Sequence, residues 1–82
     1  MLTSAQIRAA RSMLGWSAED LCNRAGISRR TLVKIESSDE PPKANFTTIT
    51  KIYQALEAAG IEFIGTPDDA PGIRFHAQPK RS

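Results

Sequence analysis

The chain has 82 residues, the size of one domain, and a domain this small buries only about 60% of the surface its unfolded chain exposes, so it depends on good caps or a partner. A net charge of +2 and a pI near 9.0 suit nucleic acid without requiring it. One cysteine excludes an internal disulfide and a cysteine zinc site, and the lack of a long apolar run leaves no signal peptide or membrane span, so a cytoplasmic protein is expected.

In chain order, Thr3-Ser4-Ala5-Gln6 has the form of a capping box, with Leu2 and Ile7 at the spacing of a hydrophobic staple. A first helix is expected from near Ser4 to Gly15, burying Ile7, Ala10 and Leu14 and carrying Arg11 on the edge of that face. Ser17 caps a second helix, with Glu19 and Asp20 against the positive end of its dipole. Gly26 stops it. Ser28 caps a third helix that turns Leu32 and Ile35 inward and Arg29, Arg30 and Lys34 outward. Trp16 with Leu21, and Ile27 with Leu32, repeat the staple spacing. Trp16 is therefore read as packing, and Cys22, beside Leu21, as core.

Two helices joined by Ala25-Gly26-Ile27 form a helix-turn-helix, whose second helix lies in the DNA major groove in proteins of this design. Charge is distributed accordingly. Arg24 to Lys34 contains four basic residues and no acidic one, whereas Glu36 to Glu40 contains three acids.

Ser37 to Pro42 cannot continue the helix, because the prolines and the residues before them disfavour it. A fourth helix follows a cap at Asn45, with Ile49, Ile52, Tyr53, Leu56 and Ala59 as its core stripe before Gly60. Beyond Gly60 the period becomes two: Ile61 and Phe63 alternate with Glu62, and Ile73 and Phe75 with Arg74 and His76. A turn over Thr66 to Pro71 makes these an antiparallel hairpin. The lone His76 has no companion ligands and is expected on a strand surface.

The stretch from about Ile7 to Leu56 resembles the phage-repressor and Cro type of helix-turn-helix, the XRE family of bacterial regulators. The resemblance rests on Arg11 in the first helix, Leu14-Gly15 before the second, Ala25-Gly26 at the turn and Ile35-Glu36 closing the third. It implies a mainly α fold, a four-helix lambda-repressor-like domain over 1–60, followed here by a β-hairpin over 61–77 and a basic tail over 78–82. It also implies an ion pair between Arg11 and Glu36; otherwise both are solvated surface charges. The loop and the start of the fourth helix are implied to touch the DNA backbone, where Lys43, Asn45 and Thr47 have suitable groups. At Ala18 the chain departs from the family, which often has a phosphate-contacting Gln there.

No nucleophile with its base, no paired carboxylates and no phosphate-cradling glycine loop is present, so neither an enzyme nor a cofactor is expected. The function expected is sequence-specific binding of double-stranded DNA as a homodimeric regulator on an inverted-repeat operator. Arg29, Arg30 and Lys34 are the candidates for base contacts, because guanidinium can donate two bonds to guanine. Ser17, Ser28, Thr31, Lys43, Asn45 and Thr47 are the candidates for phosphate contacts. Ile61, Phe63, Ile64, Ile73 and Phe75 are expected to form the dimer interface, since an isolated hairpin is marginal. The alternative is an antitoxin that binds a toxin through one surface and its promoter through another. Contact with RNA polymerase through Asp39 and Glu40 is a third reading.

Overall fold

The computed structural model describes residues 2–37, 46–66 and 68–76. Four helices are followed by a two-stranded antiparallel sheet: α1 (Ser4–Leu14), α2 (Ala18–Ala25), α3 (Arg29–Glu36), α4 (Phe46–Ala58), β1 (Ile61–Thr66) and β2 (Asp69–Phe75). The expected loop after α3, the Asn45 cap, Lys43, Asp39, Glu40 and the basic tail lie outside the described residues.

Local chemistry sets the first three helices. Thr3 caps α1, accepting from the Gln6 N–H at 3.0 Å, while the Gln6 side chain accepts from the Thr3 N–H at 2.8 Å. Ser17 and Asp20 form the same reciprocal box on α2, at 3.0 and 2.9 Å. Ser28 caps α3 by accepting from Thr31 N–H at 3.1 Å. Gly15 and Gly26 end α1 and α2 in the left-handed conformation.

Ile7 and Ala10 of α1, Leu21, Cys22 and Ala25 of α2, Leu32 and Ile35 of α3, Ile49, Ile52 and Leu56 of α4, and Ile61 of β1 form one buried cluster with Leu2. Burial raises the Cys22 thiol pKa above its ordinary value, which fits a core side chain and not a reactive thiolate. Tyr53 departs from its expected place in the core stripe. It is 37% exposed, with its ring stacked on Phe63 at 5.3 Å between centroids. Ala59 falls beyond the end of α4 and is half-buried.

In the hairpin, Ile61 pairs with Phe75, Glu62 with Arg74, Phe63 with Ile73 and Ile64 with Gly72. The turn is tighter than expected. Thr66 pairs directly with Asp69, so Asp69, Ala70 and Pro71 belong to β2. A register shift between Ile64 and Thr66 lets the sheet take in Pro71, which has no N–H to give a ladder. Gln6 ties the hairpin to α1, its amide donating to the carbonyls of Gly72 at 2.8 Å and Ile64 at 3.3 Å. On the outward face, Glu62 meets Arg74 at 3.3 Å and His76 at 2.9 Å. His76 thus lies one residue past the end of β2, exposed, where it holds a carboxylate.

Candidate nucleic-acid interface

The α2–α3 unit turns at Gly26 (φ +71°), whose N–H and that of Ile27 both donate to the Cys22 carbonyl, at 2.8 and 3.1 Å. This closes α2 and frees the chain to start α3 two residues later. With 100° per residue, burial of Leu32 and Ile35 turns Arg30, Val33 and Lys34 to the opposite face, with Arg29 at its edge. Arg29, Arg30 and Lys34 are all exposed, and the first turn of α3 has no acidic residue. Val33, missed in the sequence reading, is 57% exposed among them. A helical wheel drawn on Leu32 and Ile35 would have found it.

At the start of α3, the Ser28 hydroxyl donates to Thr31 Oγ1 at 2.9 Å while accepting the Thr31 N–H. The amides of Arg29 and Arg30, the first in the helix, have no acceptor within it and lie at the positive end of the dipole. The Thr31 hydroxyl hydrogen is left to point elsewhere.

The start of α2 is different, because the Asp20 carboxylate occupies the Ser17 N–H. That hydrogen bond, with the Ser17 hydroxyl and nearby Arg24, lowers the Asp20 pKa. Glu19 adds a second acid in the same turn. A phosphate approaching Ser17 therefore meets negative charge, and the Ser17 hydroxyl is itself engaged with the Asp20 carboxylate. Arg24 offsets it in part, its guanidinium carbon lying 4.4 Å from the Trp16 ring centroid. Trp16 thus packs against the core and also carries a cation.

The far end of α3 has no glycine. Ser37 stays right-handed at φ −87°, and α1 supplies the missing donors: the Ser4 hydroxyl to the Ile35 carbonyl and the Arg8 guanidinium to the Glu36 carbonyl. Arg11 grips the Glu36 carboxylate with Nε and Nη2, both at 3.0 Å, and reaches the Trp16 carbonyl at 3.3 Å. Nothing in the local sequence marks Ser4 or Arg8 for this work, since their partners lie 31 and 28 residues away.

Of the remaining expected contacts, Thr47 is exposed in the first turn of α4, on another element from α3. The five hairpin residues differ in what they can offer a partner. Ile61 is 2% exposed within the single chain and has no area left to lend, because α4 and the core already cover it. Phe63 and Ile73 are half-buried against the core, Ile64 is half-buried, and Phe75 is 37% exposed. Beside β1 an open cavity of about 310 Å³ is lined by Phe46, Thr50, Tyr53 and Phe63, among others. Among the described residues no cluster could hold a metal ion, and no helix is long and apolar enough to cross a membrane.

The family model for helix-turn-helix matches residues 7–61, which takes in α1 from Ile7 onward, all of α2, α3 and α4, and the first residue of β1. The chain is an XRE-family helix-turn-helix protein. It binds DNA sequence-specifically, in transcription regulation, and the XRE family is one of DNA-binding regulatory domains that are not typically enzymatic. No curated protein matches the chain. The hairpin after Ile61 lies outside the matched segment of this XRE protein, as do the residues before Ile7.

Proposed function

We propose that the protein regulates transcription in the cytoplasm as a homodimer on an inverted-repeat operator, with one α3 in the major groove of each half-site. The observation that carries this is the outward face of α3: Arg29, Arg30 and Lys34 exposed without an acid in the first turn, on a helix held at both ends. Arg30, central on that face, and Arg29 donate to guanine O6 and N7, and Lys34 reaches a base or phosphate one turn on. Ser28 and Thr31, with the free amides of the α3 N-terminus, take one phosphate. Thr47 takes another, with Lys43 and Asn45, and Ser17 contributes through the opening amides of α2 that it flanks, its own hydroxyl being turned to Asp20.

The dimer forms through the hairpin. Its sheet has two strands among the described residues, so each strand keeps one unpaired edge. Phe63, Ile64, Ile73 and Phe75 provide apolar area beside it, and Phe46, 78% exposed, extends that area along α4. A two-fold axis there presents two copies of α3 to half-sites about 34–36 Å apart, or a multiple of that distance.

Selection of bound DNA from a random pool tests the reading, and an enriched inverted repeat is expected. Sedimentation of Phe75→Glu tests the interface: a folded monomer with weak operator binding supports it, and an unchanged dimer refutes it. Substitution is cleaner than truncation at Gly60, which would remove the core residue Ile61. Enrichment of no motif, with tight co-purification of another small protein, would favour the antitoxin.

A further inference from the structure

We propose that Val33 is a specificity-determining residue that reads the 5-methyl group of a thymine in the operator. This rests on the proposed seating of α3 in the major groove. Val33 is 57% exposed, on the face shared with Arg30 and Lys34. The other large apolar side chains exposed among the described residues are Met13 near the end of α1, Phe46 and Tyr53 on α4, and Phe75 on β2. None of these is on α3.

The folded chain gives no account of valine at this position. A solvent-facing helical site favours alanine or a long unbranched side chain, because β-branching costs rotamer freedom against the preceding turn. The same stiffness suits a reader of shape. In a helix valine has one dominant rotamer, so its two methyl groups face the groove in a fixed arrangement and lose little freedom on contact. Valine has no donor or acceptor, so it cannot read the hydrogen-bonding groups that dominate the major groove. The feature there that it matches is the thymine methyl, the one apolar group a base pair presents.

Spacing makes the proposal sharper. Val33 is three residues after Arg30, about 4.5 Å along the helix axis, a little more than one base-pair step of about 3.4 Å. The thymine it touches therefore lies next to, or one position beyond, the guanine that takes Arg30. Val33 and Arg30 together read a guanine and a thymine through two kinds of chemistry, a bidentate hydrogen bond and a methyl contact.

Uracil is the probe, since it differs from thymine by that methyl alone. In the selected operator each thymine is replaced in turn by uracil, and affinities are measured for the intact chain, Val33→Ala and Val33→Ile. The expected result is one uracil-sensitive position per half-site, with a loss of about four-fold, the value of one buried methyl. Val33→Ala binds the thymine operator more weakly and no longer distinguishes uracil there, and Val33→Ile keeps the distinction. Indifference of the intact chain to uracil at every thymine overturns the proposal, as does a uracil penalty that persists in Val33→Ala. In either case an operator whose guanine depends on Arg30 leaves the broader reading of α3 intact. Failure to select any operator defeats both.

Discussion

Replacement of Glu36 by alanine tests how the recognition helix is held. The two hydrogen bonds from Arg11 are both 3.0 Å, and the side chains of Arg11 and Glu36 are 23% and 12% exposed. Such a pair lies between surface ion pairs, worth about 0–1 kcal/mol, and buried pairs, whose breaking costs about 3–5 kcal/mol. Without Glu36, the guanidinium keeps the Trp16 carbonyl and some access to water. We therefore expect a loss of about 2–3 kcal/mol, between those limits. For a domain of this size that lowers Tm by on the order of 10–20 °C, measured by circular dichroism. The main-chain bond from Arg8 to the Glu36 carbonyl survives the substitution, so the loss reports the carboxylate itself. Arg11→Met combined with Glu36→Leu should recover much of the stability, because an apolar pair leaves no stranded charge. A Tm within a degree or two of the parent for Glu36→Ala, or losses for the single variants that simply add, would refute this reasoning.

Further expectations follow from the turn, the hairpin, the caps and the core. Gly26→Ala meets no atom within 4 Å and should cost about 1–2 kcal/mol, from φ +71° alone. Gly60→Ala drives its Cβ into the His76 carbonyl oxygen and should cost clearly more in urea denaturation. Gln6→Glu keeps the acceptor for Thr3 but turns a carboxylate on the carbonyls of Ile64 and Gly72. Its folded pKa should rise, so this variant is destabilised at neutral pH and regains stability as pH falls, a trend that pH-dependent melting would expose as absent if Gln6 were only a cap. Asp20 has a lowered folded pKa, so its contribution is present above the usual carboxylate range and is lost as pH falls through the folded value. Stability should fall on acidification below about pH 4, less steeply in Asp20→Asn; equal slopes would deny the capping role. Cys22 should react with a thiol reagent only when urea unfolds the chain, and rapid labelling of the native protein would contradict its burial.

The parts of this fold legible in the sequence are those made by neighbours in the chain. Thr3, Ser17 and Ser28 as caps, and Gly15 and Gly26 as stops, each act on groups within about four residues, so their spacing reveals them. Apart from the Arg11–Glu36 pair, which the family resemblance implied, the tertiary work of polar side chains left no such trace. Gln6 completes its capping box in plain view, while its amide reaches carbonyls 58 and 66 residues away. Arg24 reaches back over Trp16 from the last turn of α2, a pairing no staple rule anticipates. Tyr53 fits the helical period of the core, yet it lies at the edge, its ring stacked on that of Phe63. At the site, the charges on α3 could be read from composition. Val33 is less plain, since an apolar residue in a helix is taken for core until the period of Leu32 and Ile35 is drawn out and sets it on the opposite face.

The absence of a glycine at the end of α3 bears on how far the helix-turn-helix can be treated as a portable unit. The Lys34 carbonyl has a local donor in the Ser37 hydroxyl, but the last two, of Ile35 and Glu36, are satisfied by Ser4 and Arg8, which stand in the first two turns of α1. A graft of residues 17–37 onto another scaffold would carry both caps and the turn but would leave the reading helix with a frayed end. Amide hydrogen exchange in the last turn of α3 should then follow the opening of α1 and not that of α2, although α2 is the nearer neighbour in sequence. Exchange of the reading surface onto a new scaffold would need α1 to travel with it.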